Sequence, residues 1–294
     1  MMRRAALRRS TIEERWPPIG QMIEVDGLKV HYWEQGTGQP VVLIHGASGN
    51  LRDFTFDLAP RLAKTCRVIA FDRPGFGHSD RLREHGWDPR AQAAHLAAAT
   101  RALGVEQPVV LGHSWGGAVA MAWAVAESET LKGVVSVSGA TMPWGGALAT
   151  YYSFIASDVV GRPVSWLIHK ALSEKRMAGL VAEAFAPQPT PDRYADYIGV
   201  PLATRPATLR GNARDITELN TILEALSLSY ARITCPVEIL HGTADDTVPL
   251  KIHAEHMHAL LPKSHLTRLE GVGHMPHHAR PEDVEAAIRR LSEN

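Results

Sequence analysis

Residues Pro108-Val109-Val110-Leu111-Gly112-His113-Ser114-Trp115-Gly116-Gly117 contain the strongest structural signal in this 294-residue chain. The apolar run Val109 to Leu111 predicts a buried strand, and the alanine-rich segment from Ala118 predicts a helix. Between them one serine has a glycine two residues away on each side, the G-x-S-x-G pattern. A sharp strand-to-helix turn favours glycines there and exposes the serine hydroxyl at a helix N-terminus, where negative charge is stabilised. A chance Gly/Ser turn is the alternative, and the flanking strand and helix argue against it.

The composition is that of an ordinary globular protein, with 45% hydrophobic and 21% charged residues. Lys+Arg and Asp+Glu number 31 each, so we expect neither nucleic acid nor an anionic membrane as the main partner. No run of about 18 apolar residues predicts a membrane span. Cys66 and Cys235 each precede a predicted buried strand and are interpreted as core thiols. We expect a cytoplasmic protein; the sequence predicts no oligomeric state.

The N-terminus is expected to form a leader over residues 1–21. Met1 to Arg15 is arginine-rich but lacks the apolar core of a signal peptide. We therefore predict that this segment is a solvated or frayed leader.

Strand and helix patterns alternate along most of the remaining chain. Met22–Val25 and Leu28–Trp33, joined by Asp26-Gly27, predict a β-hairpin. Further strands are predicted at Val41–Ile44, Arg67–Phe71, Val109–Leu111, Leu131–Ser138, Pro236–Leu240 and Leu266–Leu269. Helices are predicted at Leu51–Ala63, Asp88–Leu103, Ala118 onward, Leu250–Leu261 and Pro281–Leu291. This order predicts an α/β fold with a mostly parallel sheet and helices on both faces.

The alternation is interrupted from Ala140 by short helical patterns without clear strands. We interpret residues 140–231 as an inserted helical cap, and residues 22–139 and 232–294 as the core. The cap aromatics either line an apolar pocket or pack the cap onto the core; they are Trp144, Tyr151, Tyr152, Phe154, Trp166 and Phe185. The same two alternatives apply to Met142 and Met275.

A serine hydroxyl becomes a useful nucleophile only beside a base, and the base needs an orienting acid. The loops that follow parallel strands gather at one edge of the sheet. Two adjacent acids, Asp245 and Asp246, follow the predicted strand Pro236–Leu240, and we favour Asp245 as the orienting acid. The alternative for either acid is an ordinary turn or helix-capping residue.

The favoured base is His274, which follows the last predicted strand in a glycine-rich loop. His277 and His278 are neighbouring alternatives. An oxyanion hole needs two backbone N–H donors, and the residue after the serine, Trp115, would supply one. Ala47, in the loop His45-Gly46-Ala47 after an earlier strand, would supply the other.

Together these motifs resemble the α/β-hydrolase fold superfamily over about Met22 to Leu291. Four motifs occur in the family's order: His45-Gly46, Asp72-Arg73-Pro74-Gly75-Phe76-Gly77-His78-Ser79, Gly112-His113-Ser114-Trp115-Gly116, and Asp245 with Gly273-His274. The resemblance implies a triad of Ser114, Asp245 and His274. In the family's acid motif the aspartate stands four residues before a proline, and Pro249 therefore supports Asp245. Asp72 and Arg73 are expected to brace loops.

The resemblance implies a serine hydrolase that cleaves small to medium apolar carboxylic esters through an acyl-enzyme, without metal or organic cofactor. The His45-Gly46 and Asp72-Arg73-Pro74-Gly75 loops also look like those of epoxide hydrolases and haloalkane dehalogenases. Those enzymes, however, use an aspartate where this chain has Ser114. Carbon–carbon bond hydrolases, lactonases and cofactor-free perhydrolases share the serine triad and are alternatives. A non-catalytic ligand-binding protein of this fold is the further alternative.

Overall fold

One eight-stranded sheet organises the computed structural model, which describes residues 11–145 and 150–293. The strands follow the order β1-β2-β4-β3-β5-β6-β7-β8 across the sheet. β1 pairs with β2, and β2 with β4, in antiparallel fashion, and every other pair is parallel. The strands are β1 (Gln21–Val25), β2 (Leu28–Gln35), β3 (Gln39–Ile44), β4 (Cys66–Phe71), β5 (Val109–His113), β6 (Gly133–Val137), β7 (Val237–Gly242) and β8 (Ser264–Leu269). The predicted α/β fold with a mostly parallel sheet is confirmed.

The pleat of the central strands divides the core into two layers. Val42 and Ile44 of β3 belong to a hydrophobic cluster on one face, and Val41 and Leu43 belong to a second cluster on the other. Side chains alternate across a strand, so a run that is apolar at every position indicates burial on both faces. Both faces of the sheet are therefore covered by helices, and the loops lie at the ends of the strands.

Helices fill the connections between the strands from β3 onward, and two more helices follow β8. They are α1 (Arg52–Thr55), α2 (Leu58–Leu62), α3 (Pro89–Ala102), α4 (Trp115–Glu127), α5 (Thr150–Ala156), α6 (Gly161–Ala171), α7 (Glu174–Phe185), α8 (Tyr194–Ile198), α9 (Val200–Ala203), α10 (Pro206–Leu226), α11 (His256–Leu260), α12 (Pro276–Ala279) and α13 (Pro281–Glu293). Short 3₁₀ segments occur at Ser128–Thr130 and Ser227–Arg232. Within the described residues, no helix is long and apolar enough to cross a bilayer.

Two of the helix predictions need correction. The single helix predicted over Leu51–Ala63 is wrong, because the structure contains α1 and α2 with a break between them. Pro60 has no backbone N–H to donate. A proline is tolerated in the first turn of a helix but not in its interior, so a new helix begins shortly before Pro60. The helix predicted over Leu250–Leu261 begins as a π-helical turn at Lys251–Glu255 and becomes α-helical only in α11.

Six helices, α5 to α10, lie between β6 and β7 in the described chain. Residues 146–149 of the predicted cap lie outside the described residues, and the boundary of the cap stays a prediction. The predicted cap aromatics differ in their surroundings. Phe185 is buried against Tyr194, whereas Tyr151 and Phe154 are more than half exposed.

The end of the predicted leader contacts the inserted helices. Trp16 is buried, and its indole N–H donates to the carbonyl of Asp196, which belongs to α8. The guanidinium of Arg52 donates to the carbonyl of Pro17. The chain is thus held in place before β1 begins, and residues 1–10 lie outside the described part.

Candidate active site

A strained turn places Ser114 between β5 and α4. Its backbone has φ 52° and ψ −120°, a conformation that residues with a side chain rarely adopt. A Cβ on Gly112 would collide with the carbonyl of Gly116, and a Cβ on Gly116 would collide with the carbonyl of Ile44. Both glycines are therefore needed for close backbone approach, as the G-x-S-x-G pattern predicts.

The structure brings Ser114, His274 and Asp245 together at the carboxyl ends of β5, β7 and β8. Nε2 of His274 lies 3.0 Å from the hydroxyl oxygen of Ser114. On the other side of the ring, Nδ1 lies 2.8 Å from Oδ2 of Asp245. All three residues are at least nine-tenths buried. This arrangement allows the imidazole to accept a proton from the serine hydroxyl while the carboxylate holds the ring.

Several donors hold Asp245 in its ionised form. Oδ1 accepts the backbone N–H groups of Thr247 and Val248, at 3.0 and 2.9 Å. Burial disfavours ionisation, but hydrogen bonds from His241 and His274 outweigh it and place the pKa of Asp245 far below its usual range. The competing acid, Asp246, is exposed. Of the two acids, the structure therefore places Asp245 beside the histidine.

The alternative bases, His277 and His278, contact a different carboxylate. Nε2 of His277 and Nε2 of His278 lie 3.1 and 2.8 Å from oxygens of Asp53, and the hydroxyl of Tyr194 donates to the same group at 2.7 Å. Burial opposes ionisation of Asp53, but the two histidines outweigh it and hold the pKa of Asp53 well below its usual range. These two histidines are thus already engaged away from Ser114.

Asp53, His277 and His278 also offer the donor atoms of a metal site. Among the described residues they form a group whose potential ligand atoms lie within 4.8 Å of one another. However, Nδ1 of His277 is buried without a hydrogen-bond partner in the described part. A metal-bound imidazole normally donates its other N–H to an acceptor, so this histidine fits a metal poorly. We interpret the group as a buried carboxylate whose hydrogen bonds come from three side chains.

The loop His45-Gly46-Ala47 passes directly beside the serine. A Cβ built on Gly46 would lie 3.0 Å from the Cβ of Ser114, which is closer than most Cβ contacts, so the loop approaches the serine tightly. The loop that carries Ala47, the expected oxyanion donor, is therefore adjacent to Ser114. The other expected donor, Trp115, is the first residue of α4, where backbone N–H groups have no partner inside the helix.

Hydrogen bonds fix the protonation state of His45. Its Nδ1 lies 2.8 Å from the carbonyl of Gly46, and its Nε2 accepts the backbone N–H of Arg73 at 3.0 Å. An imidazolium cannot accept that bond, so this pattern requires the neutral ring. Burial, followed by the charge of Arg73, lowers the pKa of His45 to about 4.

One residue that sequence reasoning missed holds the loop of the candidate base. Nε2 of His113 donates to the carbonyl of His274 at 2.9 Å, and the two rings lie 5.0 Å apart. Burial leads the effects that hold the pKa of His113 well below its usual range, so the ring is neutral. The sequence did offer one signal for His113, because it directly precedes the serine in Gly-His-Ser-Trp-Gly.

A family model described as the alpha/beta hydrolase fold matches residues 39–281 of this chain. The chain belongs to the α/β-hydrolase fold family. An uncharacterized protein of Mycobacterium tuberculosis is 28% identical over 284 residues, covering 90% of this chain and 78% of its own length.

Two further proteins similar to this α/β hydrolase are named after an activity. A 2-hydroxymuconate semialdehyde hydrolase of Pseudomonas putida is 26% identical over 249 residues, covering 80% of each protein. A solved esterase from a Rhodococcus species superposes with a TM-score of 0.70 at 25% identity, covering 94% of this chain and 99% of the esterase. The chain is therefore a hydrolase-fold protein that is similar to an esterase and to a 2-hydroxymuconate semialdehyde hydrolase.

Proposed function

We propose that this α/β hydrolase is a serine esterase that cleaves small to medium apolar carboxylic esters through an acyl-enzyme. The observation that carries the proposal is the continuous hydrogen-bonded chain from Ser114 through His274 to Asp245. Nucleophile, base and orienting acid are in contact, and the acid is held ionised.

In the proposed first step, the Ser114 hydroxyl oxygen attacks the ester carbonyl carbon while its proton passes to Nε2 of His274. The ionised Asp245 accepts the Nδ1–H, which leaves Nε2 with a free lone pair and stabilises the imidazolium that forms. His274 then returns the proton to the leaving alkoxide, and the carbon–oxygen bond of the ester breaks. Water, activated by the same imidazole, hydrolyses the acyl-enzyme.

Negative charge on the former carbonyl oxygen needs donors placed in advance. We propose the backbone N–H groups of Ala47 and Trp115 for this role. The close approach of Gly46 to Ser114 and the position of Trp115 at the start of α4 support it. Donors of this kind each contribute about 3 kcal/mol of transition-state stabilisation.

The apolar substrate class rests on the residues next to the candidate site. Met275 follows His274 directly and is buried. Met142 is also buried and lies two residues after Ala140, whose N–H donates to the carbonyl of Ser114. Flexible thioether side chains suit apolar groups of varied shape.

A panel of p-nitrophenyl esters of increasing acyl length tests this proposal, with Ser114→Ala as the control. We expect hydrolysis of short and medium esters and a loss of at least about 10³-fold in the variant. Equal rates for the two proteins, or no turnover of any ester, would refute the proposal.

Carbon–carbon bond hydrolysis is the second candidate, because the Pseudomonas relative is named a 2-hydroxymuconate semialdehyde hydrolase. The same serine triad would then act on a ring-cleavage dienoate. Turnover of a dienoate together with inactivity on the ester panel would favour this candidate over the esterase.

A further inference from the structure

One inserted helix, α10, contacts both segments that carry the proposed oxyanion donors. This inference rests on the function proposed above. The contacts come from Asn212 and Asp215, which lie nearly one turn apart on α10. Both residues are at least 95% buried.

The first contact reaches the residue after Ala47. Oδ1 of Asn212 accepts the backbone N–H of Ser48 at 2.8 Å, and Nδ2 of Asn212 donates to the Ser48 hydroxyl at 3.0 Å. Ser48 has a positive φ of 56°, so its backbone needs support to keep this conformation. The two bonds fix the Ala47–Ser48 segment to the inserted helix.

The second contact reaches Trp115. Its indole N–H donates to the backbone carbonyl of Asp215 at 3.1 Å. The Trp115 ring also lies against the guanidinium of Arg73, with 4.3 Å between the guanidinium carbon and the ring centroid. The side chain of the second proposed donor residue is thus fixed by α10 and by a buried cation.

Arg73 joins the two contacts. Its Nε and Nη2 donate to the carbonyls of His45 and Gly46 at 2.9 and 3.1 Å, and Nη1 lies 3.3 Å from Oδ2 of Asp215. Burial lowers the pKa of Arg73 to about 10, which leaves the guanidinium charged at neutral pH. Because Arg73 holds both carbonyls preceding Ala47, it fixes, together with the His45 ring, the direction of the Ala47 N–H.

We propose that Asn212 and Asp215 are positioning residues that set the geometry of the oxyanion hole from the inserted helix. Neither side chain needs to touch substrate. Asn212 acts on the Ala47–Ser48 segment directly, and Asp215 acts through Arg73 and Trp115. The inserted helix α10 is therefore part of the machinery that stabilises the transition state.

The proposal predicts a specific kinetic signature. Oxyanion donors act on charge that develops only in the transition state, so disturbing them lowers kcat while KM changes little. A helix that only shaped the substrate pocket would instead change KM and the preference for acyl length.

Asn212→Ala is the first test, and Asn220→Ala is its matched control. Asn220 lies two turns further along α10 and makes the same pair of bonds, but to the backbone N–H and carbonyl of Trp144. With p-nitrophenyl butyrate, we expect kcat of Asn212→Ala to fall about 10-fold or more, with KM within about 3-fold. We expect kcat of Asn220→Ala to stay within about 3-fold of wild type.

Asp215→Asn is the stronger variant, because it removes the charge that faces Arg73 and keeps the carbonyl that accepts from Trp115. We expect a fall in kcat of about 10²-fold. Binding of an alkyl trifluoromethyl ketone, which forms a tetrahedral oxyanion on serine, should weaken by the same factor as kcat/KM. Should this variant fail to fold, Trp115→Phe tests the other contact of Asp215, the bond from the Trp115 indole N–H to its backbone carbonyl, with an expected fall in kcat of about 10-fold.

Equal kinetics for Asn212→Ala and Asn220→Ala would overturn the inference, and so would a change confined to KM. The rate of Ser114 labelling by a fluorophosphonate separates this inference from the proposed function. A labelled wild-type chain without ester turnover would refute the esterase alone. The labelling rates of the two asparagine variants would then still decide the role of α10, since the phosphonyl oxygen occupies the same hole.

Discussion

The hydroxyl oxygen of Ser114 lies 3.0 Å from Nε2 of His274, although 160 residues separate the two in sequence. Parallel strands explain this distance, because β5 and β8 point the same way and end at the same edge of the sheet. The carbonyl of His274 is additionally held by His113, the residue before the serine. The pair is thus fixed through both backbone and side chain.

Asp245→Asn is expected to lower kcat about 10⁴-fold. Because Oδ1 accepts two backbone N–H groups, the asparagine oxygen will take that position and turn its NH₂ toward His274. Nδ1 would then accept, and the proton would move to Nε2, where it blocks the base. Steady-state kinetics check this, with the exposed Asp246→Asn as the control; equal losses in the two variants would exclude Asp245 as the acid.

Gly116→Ala is expected to destabilise the fold by about 2–3 kcal/mol and to abolish activity, because the new Cβ meets the backbone carbonyl of Ile44. Gly179→Ala is the control: it lies in α7 with open space around it and should gain about 0.5–1 kcal/mol. Urea denaturation measures both changes. A Gly116→Ala protein with wild-type stability would contradict the close packing described for the turn.

Asp53→Asn is expected to lower the free energy of unfolding by about 3 kcal/mol, because it replaces a buried carboxylate that three side chains use as acceptor. Asp57→Asn should change it by less than about 0.5 kcal/mol, since its side chain makes no capping bond at the start of α2. Guanidinium denaturation compares the two, and similar values would refute the role given to Asp53.

Neutral His253 is expected to make stability depend on pH. Burial leads the effects that lower the pKa of His253 to about 4, and its Nδ1 accepts the N–H of Met142. Because the folded pKa lies below the unfolded value, this contribution is complete above about pH 6.5 and is lost as pH falls toward 4. By about pH 4.5 this loss amounts to roughly 2–3 kcal/mol of unfolding free energy.

His253→Asn keeps an acceptor for Met142 but cannot titrate, so its unfolding free energy should fall less between about pH 7 and 4.5. The exposed neighbour His256→Asn is the control. Identical pH dependence in His253→Asn and wild type would contradict a buried neutral imidazole at this position.

The sequence allowed much of the fold to be predicted, because local patterns carry it. Asp26-Gly27 predicted the turn of the hairpin, and both residues have the positive φ that such a turn requires. Apolar runs predicted the central strands, and the rule that parallel strands end at one edge predicted which loops would meet. The roles of Ser114, Asp245 and His274 stay predictions, but their contact follows from that rule.

Other features could not be predicted from local patterns, because they depend on contacts between distant segments. Asn212 and Ser48 are 164 residues apart, and no periodic signal links α10 to the loop after β3. His277 and His278 looked like competing bases, and only the fold shows that both face Asp53. Buried polar clusters of this kind are set by tertiary packing, which composition and spacing do not encode.

Mass analysis of the folded protein after reaction with a fluorophosphonate tests the central claim most directly. We predict one adduct per chain, located on Ser114, with no adduct in Ser114→Ala and slower labelling in His274→Ala. A folded wild-type chain that stays unlabelled, or that is labelled at a different residue, would contradict the account of Ser114 as an activated nucleophile.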